Sequence, residues 1–292
     1  MYYIVFGLLY VVSLLPLRVL YVLSSLGYLV VYFILGYRKG VVLQNLAYAF
    51  PQKSEKDREK TARQFYRNFI DSFIENIKFI SASDTFFKKH FTGNTEILLP
   101  IHASGRKCQV LLAHNFNWEL ANLAVPLLTP FQMLTVYMPI SNKLFNRLLM
   151  HIRCRTGAKM LAATRMSREL IPYRNQQYLM ALVADQNPGN PANAYWFNFL
   201  GRPAPFVKGP EKNARANNAV IVYCYFTKAK RGYYHAHFEL AETEPLQLPE
   251  KELMRRYVTY LEKVVTANPE MWLWSHRRWK HQWKPEYGPV TE

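Results

Sequence analysis

The stretch LLAHNFNWELANLA, residues 111–124, predicts a strand, a turn and a helix in immediate succession. The apolar run at residues 109–113 is typical of a buried strand and delivers His114 to its carboxyl end. Asn117 can cap the following helix, and Glu119 falls in its first turn. Because open α/β sheets place ligands at the carboxyl ends of their strands, His114 is a candidate site residue.

The spacing of His114 and Glu119 suits a base and its partner. On one continuous helix, residues five apart point to different faces. Across a strand, a turn and a helix, the Glu119 carboxylate can instead fold back onto the imidazole. A carboxylate on one ring nitrogen fixes the tautomer and leaves the other nitrogen as a base. That base can take the proton of a hydroxyl that attacks an acyl thioester, although a structural histidine stays open from this pattern alone.

Short apolar runs alternate with helical stretches along the rest of the chain. Strands separated by helices predict an α/β fold with a mixed central sheet flanked by helices. Its domains are predicted as residues 1–37, a membrane anchor, and residues 38–292, one catalytic domain. The predicted strands are 96–99, 109–113, 134–138, 178–184, 219–226 and 233–240, and the predicted helices are 54–80, 118 onward, 141–153 and 250–266.

Residues 1–36 carry one charged side chain, Arg18, and predict a membrane-associated helical segment. Pro16 and Arg18 interrupt the apolar run, so a spanning segment and a partly interfacial helix are both open. A buried core helix is the remaining alternative. Arg38 and Lys39 follow the segment, and by the positive-inside rule they keep the remainder of the chain cytoplasmic.

The formal net charge of +17 indicates acidic partners: nucleic acid, anionic lipid headgroups, phosphorylated ligands or acidic carrier proteins. The cysteines at 108, 154 and 224 form no CxxC pair, which argues against a disulfide-stapled domain. Cys108 and Cys224 lie in apolar runs and are expected to be buried and inert. His235 and His237 alternate on a predicted strand, but nothing near them completes a metal site, so no metal is expected.

The tail places tryptophans among basic side chains from residue 272 to 283. Such a mixture suits a membrane interface beside phosphorylated headgroups, or stacking on single-stranded nucleic acid. Packing of the tryptophans against the domain is the plain alternative. Because the N-terminus is apolar, we expect a membrane and no nucleic acid.

HNFNWE, residues 114–119, resembles the H-x4-D/E motif of the lysophospholipid and glycerolipid acyltransferase superfamily. The wider chain is similar to its lipid A late-acyltransferase branch, the lauroyl and myristoyl transferases of Gram-negative bacteria. Further blocks in the same order carry this resemblance: RTGAKM at 155–160, LVADQNPG at 182–189, FLGRPAPFVKGPEKNAR at 199–215 and PEMWLWSHRRWK at 269–280.

The resemblance implies a glycerolipid-acyltransferase-like fold and an acyl transfer without cofactor. The donor would be an acyl carrier protein thioester, and the acceptor a hydroxyl on a lipid A precursor or related anionic membrane glycolipid. His114 would be the base and Glu119 its partner. The enzyme would lie at the bacterial inner membrane, with the catalytic domain on the cytoplasmic face.

The same resemblance gives candidates for substrate binding or the oxyanion. Arg155 would lie near the developing oxyanion or a ligand phosphate, for which the planar guanidinium is suited. Asp185 and Gln186 would line the same cleft, or else anchor Arg155 or the loop. Lys208 departs from the small or hydroxyl residues expected there, so acceptor or acyl-chain preference can differ. Asn117 completes the set.

Two other functions stay open from the sequence. The first is acylation of a glycerophospholipid or aminolipid by the same chemistry. The second is a non-catalytic membrane-bound protein whose basic surface binds lipid or nucleic acid. The acceptor that gains an acyl chain separates the first from lipid A acylation, and the effect of His114→Ala tests the second.

Overall fold

A seven-stranded sheet forms the centre of the computed structural model, which describes residues 1–291. Its strand order is β1-β9-β8-β2-β5-β3-β4, and neighbours are parallel except β8 with β9. The predicted mixed central sheet is therefore confirmed. The described strands are β1 (Phe91–Gly93), β2 (Cys108–Leu112), β3 (Gln132–Tyr137), β4 (Lys159–Ala162), β5 (Tyr178–Val183), β6 (Tyr195–Phe199), β7 (Arg202–Phe206), β8 (Val220–Lys230), β9 (Tyr233–Glu242) and β10 (Val290–Thr291).

Helices flank the sheet and supply the N-terminal segment. They are α1 (Tyr2–Leu14), α2 (Leu17–Leu29), α3 (Lys39–Ala49), α4 (Glu55–Lys78), α5 (Asp84–His90), α6 (Leu98–Ala103), α7 (Trp118–Leu128), α8 (Lys143–Arg153), α9 (Met166–Glu169), α10 (Gly209–Asn217) and α11 (Glu252–Ala267). The predicted helices at α4, α7, α8 and α11 are confirmed within a few residues. Ser54 caps α4 by accepting the Asp57 N–H at 3.1 Å.

The central strands β2 and β5 are apolar runs covered on both faces. All of β2 is buried, and so is β5 except for its last residue. Continuous apolar strands of this kind are expected in parallel sheets whose two faces are both covered. These two strands are neighbours, with Leu112 opposite Val183, so their carboxyl ends meet at one edge.

The strand predicted at residues 96–99 is wrong. A 3-10 turn at Thr95–Ile97 leads instead into the short helix α6. Pro100 lies in the first turn of α6, where a backbone N–H has no intrahelical partner to lose. The same proline would interrupt a strand ladder, so helix suits the segment better.

A second sheet was not predicted from the sequence. It has the order β10-β6-β7, and the β6–β7 hairpin turns at Leu200 and Gly201, both with positive φ. A two-residue hairpin turn with positive φ at both residues usually carries Asn-Gly or Gly-Gly. Because position 200 is leucine, the sequence does not predict this turn. Pro203 and Pro205 place β7 at the edge of this sheet, because proline cannot donate to a ladder.

The N-terminal helices α1 and α2 pack on α4 and leave an apolar face exposed. Leu20, Ser24 and Tyr28 point inward from α2, whereas Val22, Leu26 and similar side chains face solvent. The helical stretch Leu17–Ile34 is long and apolar enough to cross a membrane, by length and composition alone. The division of the chain at residue 37 stays a prediction.

Candidate active site

His114 and Asp185 meet at the carboxyl edge of the central sheet. Each lies two residues beyond the end of its strand, His114 after β2 and Asp185 after β5. The strands stay in register past their ends, because the Ala184 N–H donates to the Leu112 carbonyl at 3.1 Å. The edge where α/β sheets bind ligands therefore carries an imidazole beside a carboxylate.

Asp185 is bound by three donors. Its Oδ1 lies 2.6 Å from His114 Nδ1, and its Oδ2 accepts the His114 backbone N–H at 2.9 Å and the Trp272 indole N–H at 2.6 Å. Burial alone would raise the pKa of Asp185, but His114 and these hydrogen bonds hold it below its ordinary value. An ionised Asp185 makes Nδ1 the protonated nitrogen of His114. The Nε2 lone pair is then left as a base.

The imidazole keeps a route to solvent while its partner has none. The His114 side chain is 21% exposed, and that of Asp185 is 1% exposed. The Trp118 ring packs edge-on against the imidazole, with centroids 5.3 Å apart. His114 is thus fixed on the Asp185 side and open on the other, as a base that meets a substrate must be.

The predicted contact of Glu119 with His114 is wrong. The Glu119 carboxylate binds Arg153 at the end of α8, with Nε 2.8 Å from Oε2 and Nη2 on Oε1. Its Oε1 also accepts the Trp118 indole N–H at 3.2 Å. Glu119 is buried, and a buried carboxylate needs a cation or several donors. Arg153 supplies them, so the carboxylate turns toward α8; a role for Glu119 in catalysis stays a prediction.

Asn117 caps α7 as predicted. Its side-chain oxygen accepts the N–H groups of Glu119 at 3.1 Å and Leu120 at 3.2 Å. Its amide nitrogen donates to Glu75 Oε2 at 2.7 Å. Burial raises the pKa of Glu75, which also accepts the Tyr21 hydroxyl from α2 at 2.8 Å. These contacts link α2 through α4 to the turn after His114. They also occupy the side-chain amide of Asn117, which was predicted to bind substrate.

Arg155 lies against the chain that follows α4. Its guanidinium donates to the carbonyls of Phe79 and, at 2.8 Å, Ala82. Within residues 1–291 no hydrogen bond or ion pair joins Arg155 to His114 or Asp185, so Asp185 does not anchor it. An oxyanion or phosphate role for Arg155 stays a prediction.

The other predicted binding residues are separated by the fold. Gln186 follows Asp185 directly and is half-buried at the same edge. Lys208 precedes α10, where its ammonium lies 4.9 Å from the ring centroid of Tyr195 in β6. Lys208 therefore lies beside the second sheet, and its role in binding stays a prediction.

Residues 271–278 complete the site, although no sequence pattern places them there. Trp272 forms an isolated bridge with Asn115, and the Phe116 N–H donates to the Met271 carbonyl at 3.0 Å. Trp272 and Trp274 are buried, so the packing interpretation holds for them, while Trp283 is 38% exposed. Trp272 lies 87 residues from Asp185 in sequence, and no spacing rule connects residues so far apart.

Two basic residues of this tail contact the loop after Asp185; Arg278 is buried and His276 is half-buried. The His276 Nε2 accepts the Asn187 N–H at 3.3 Å, and Arg278 Nη1 donates to Asn187 Oδ1 at 2.6 Å. Burial and the Arg278 charge lower the pKa of His276 to about 4, so His276 is neutral near pH 7. Burial lowers the pKa of Arg278 to about 10. Both residues hold the loop that follows Asp185.

Asn115 has unused hydrogen-bonding capacity beside the base. It is buried, and neither its amide oxygen nor its amide nitrogen has a partner within residues 1–291. A buried amide without partners costs about 1–3 kcal/mol per group, so such groups usually await a ligand or water. Asn115 lies in the predicted turn, where asparagine is common, so the sequence does not single it out.

The remaining candidates carry no second site. Burial raises the pKa of Cys108 to about 12, and Cys224 is buried as well, as expected of inert thiols. The His235 ring binds Thr92 and the His237 ring binds Thr227, each at 2.9 Å. Within residues 1–291 no group of three or more His, Cys, Asp or Glu side chains could hold a metal ion.

The carboxyl edge of the α/β sheet therefore carries a histidine that is bound by a buried carboxylate, the arrangement expected of a general base. The chain belongs to the family described as bacterial lipid A biosynthesis acyltransferase, whose model matches residues 1–281. It is similar to the lipid A biosynthesis palmitoleoyltransferase of Escherichia coli (strain K12) and to a lipid A biosynthesis acyltransferase of Shigella flexneri. Each is 23% identical over 246 residues, which cover 83% of this chain and 79% of the relative.

Proposed function

We propose that the protein transfers a fatty acyl chain from an acyl carrier protein thioester to a hydroxyl of a lipid A precursor or related glycolipid. The family supports acyl transfer in lipid A synthesis. The observation that carries the role of His114 is the 2.6 Å contact between its Nδ1 and the buried Asp185. This contact fixes the tautomer in which Nε2 is a base.

The reaction needs no protein nucleophile. His114 Nε2 takes the proton of the acceptor hydroxyl as its oxygen attacks the thioester carbonyl. A C–O bond forms, and the carbonyl oxygen becomes an oxyanion. The tetrahedral intermediate then collapses, the C–S bond breaks, and the leaving sulfur takes the proton from His114 Nε2, so that the carrier protein leaves as a thiol and His114 is neutral again. Asp185 stabilises the imidazolium between the two steps.

The oxyanion needs a donor, and we assign this role to Asn115. Its amide has no other partner, and it follows His114 directly. A preorganised amide that hydrogen-bonds a developing oxyanion typically contributes about 10²–10³ in kcat. Asn115 was not among the predicted binding residues, whereas Arg155, which was, donates to backbone carbonyls.

The N-terminal helices would lie in the membrane interface rather than cross the bilayer. The inner face of α2 bonds two carboxylates of α4, because Ser24 donates to Asp71 at 2.6 Å and Tyr21 donates to Glu75 at 2.8 Å. A spanning α2 would bring both carboxylates into the hydrocarbon, which is costly. An interfacial α2 leaves them at headgroup level and submerges only the apolar face. Val22 and Leu26 of α2 and Phe33, just beyond its end, form that face, each more than half exposed.

The location follows from the donor and the charge. Acyl carrier protein is cytoplasmic and acidic, and the chain carries a net charge of +17. The enzyme would therefore work on the cytoplasmic face of the bacterial inner membrane. No cofactor takes part in this scheme.

The direct test supplies purified protein with acyl carrier protein thioester and separate acceptors in mixed micelles. We expect mass spectrometry to find one added acyl chain on a lipid A precursor, and none when His114→Ala replaces the wild type. Acylation of a glycerophospholipid or aminolipid instead would move the function to that acceptor. Full activity of His114→Ala would refute the mechanism. A deletion strain whose lipids are unchanged would support a non-catalytic protein.

A further inference from the structure

A cavity of about 600 Å³ opens between α2, α4 and the β8–β9 hairpin. It shares no residue with the His114–Asp185 pair. Side chains from four parts of the chain line it: Ser24, Ser25, Tyr28, Leu29, Gln64, Arg67, Asn68, Asp71, Lys228, Arg231, Glu270 and Met271.

The cavity carries more positive than negative charge. Asp71 is buried and binds two cations, Lys228 at 3.1 Å and Arg231 at 2.6 Å. Together with Arg67 and Glu270, the lining has three cations and two carboxylates. The formal charge of the lining is therefore +1, which favours an anionic ligand.

Arg67 is not needed for the ion pairs of the cavity. It is exposed, and its guanidinium lies 5.2 Å from the ring centroid of Tyr28. No carboxylate of residues 1–291 forms an ion pair with it. Its donors are free to form the paired hydrogen bonds that guanidinium makes with a phosphate. The buried charge of Asp71 accounts for the presence of Lys228 and Arg231 in the cavity. It does not account for Arg67, which does not pair with Asp71.

The cavity opens beside the apolar face of α2. Leu29 lines the cavity and is also 48% exposed, next to the outward side chains of Val22, Leu26 and Phe33. A ligand with a charged head and apolar chains could therefore occupy both surfaces at once. Among the uncharged polar side chains of the lining, Gln64 and Tyr28 can hydrogen-bond to sugar hydroxyls.

The cavity also adjoins the active site. Met271 lines it, and the Met271 carbonyl accepts the N–H of Phe116, two residues after His114. The next residue, Trp272, donates to Asp185. A headgroup in the cavity would thus lie on the other side of the Met271–Trp272 segment from His114 and Asp185.

We infer that this cavity binds the phosphate of a phosphorylated sugar headgroup on a membrane lipid, with Arg67 as its principal ligand. The inference rests on the proposed function, since it assigns a place to the acceptor. Arg67 would then lower the KM for a phosphorylated acceptor without taking part in the chemistry.

The test compares Arg67→Gln with Arg63→Gln. Arg63 lies one turn earlier on α4, is also exposed, and pairs with Glu59 outside the cavity. We expect Arg67→Gln to raise the KM for a phosphorylated glycolipid about tenfold or more, with kcat unchanged, because a charged hydrogen bond is lost. Arg63→Gln should match the wild type, and so should both variants with the dephosphorylated lipid. Equal KM values for the two variants would overturn the inference.

A binding measurement separates this inference from the activity. Phosphatidylcholine vesicles that contain the phosphorylated glycolipid should float more wild-type protein than Arg67→Gln, even if no acyl transfer is found. Vesicles with the dephosphorylated lipid should not distinguish them. Inorganic phosphate that binds as tightly as the lipid would overturn the assignment to a headgroup. A higher KM for the acyl carrier protein thioester alone would assign Arg67 to the donor and overturn the inference.

Discussion

Replacing Asp185 by asparagine tests which carboxylate orients the base. The new side chain can keep its oxygen toward the Trp272 indole and the His114 backbone N–H, as Asp185 Oδ2 does now. Its NH₂ group then faces His114 Nδ1 and donates to it. This favours the tautomer with the proton on Nε2, which cannot act as a base.

The size of the effect follows from the geometry. With His114 Nδ1 and Asp185 Oδ1 2.6 Å apart, an effective dielectric of about 20 gives roughly 6 kcal/mol of attraction between imidazolium and carboxylate. Loss of most of that stabilisation corresponds to a fall in kcat of about 10³–10⁴. The KM for the acceptor should change little, because both carboxylate oxygens of Asp185 are already bound by His114 and Trp272.

The assay is steady-state acyl transfer with the purified full chain, corrected for folded protein by circular dichroism. Glu119→Gln is the matched control, since it neutralises the other buried carboxylate near the base. That change leaves Arg153 buried without its anion, which costs about 3–5 kcal/mol of stability and should lower Tm. The kcat of folded Glu119→Gln should exceed that of Asp185→Asn. If Glu119→Gln loses as much as Asp185→Asn, or if Asp185→Asn keeps a tenth of wild-type kcat, our assignment of the orienting carboxylate is wrong.

Three further predictions concern the oxyanion, acid stability and the membrane. Asn115→Ala should lower kcat about 10²–10³-fold with a nearly unchanged KM; a higher KM at unchanged kcat would contradict the oxyanion role. The folded pKa of His276 is about 4, below its ordinary value, so the unfolded chain binds an extra proton between about pH 6.5 and pH 4. The free energy of unfolding therefore decreases as the pH is lowered through that range, by about 3 kcal/mol at most. His276→Gln should therefore lose less Tm than the wild type over that range in scanning calorimetry, and parallel Tm curves would count against this. Val22→Asp with Phe33→Asp should weaken vesicle binding more than tenfold, whereas Leu246→Asp, at an exposed apolar residue after β9, should bind like the wild type.

Much of the fold could be predicted from local patterns. The apolar runs at β2 and β5 and the periodic stripe of α4 lie where the sequence predicts them, because burial imposes those patterns on neighbouring residues. The β6–β7 hairpin was missed, since Leu200 holds a positive φ without the residue type that announces one. Residues 96–99 lead into α6 and do not form the predicted strand, because Pro100 suits the first turn of a helix and would interrupt a strand ladder.

His114 was identified correctly as the histidine at a strand end, but its partner was not. From the sequence, Glu119 was the nearest carboxylate to fold back onto the ring. In the tertiary structure Glu119 pairs with Arg153 and Asp185 pairs with His114. Each buried carboxylate binds the basic group that the packing of helices and strands places beside it. Asp185 is expected from the sequence to line the same cleft or to anchor Arg155 or the loop, and its contact with the His114 ring was not predicted.

The sequence by itself determined the family, the strand that delivers His114, and the apolar segment at the N-terminus. Ordered motifs and runs of neighbouring residues are sufficient for those, since they are local properties of the chain. Only the tertiary structure decided that Asp185 binds the His114 ring, that Trp272 donates to Asp185, and that α2 packs on the carboxylates of α4. Those contacts join residues 47 to 87 positions apart, and parallel strand pairing and helix packing, rather than spacing, bring them together.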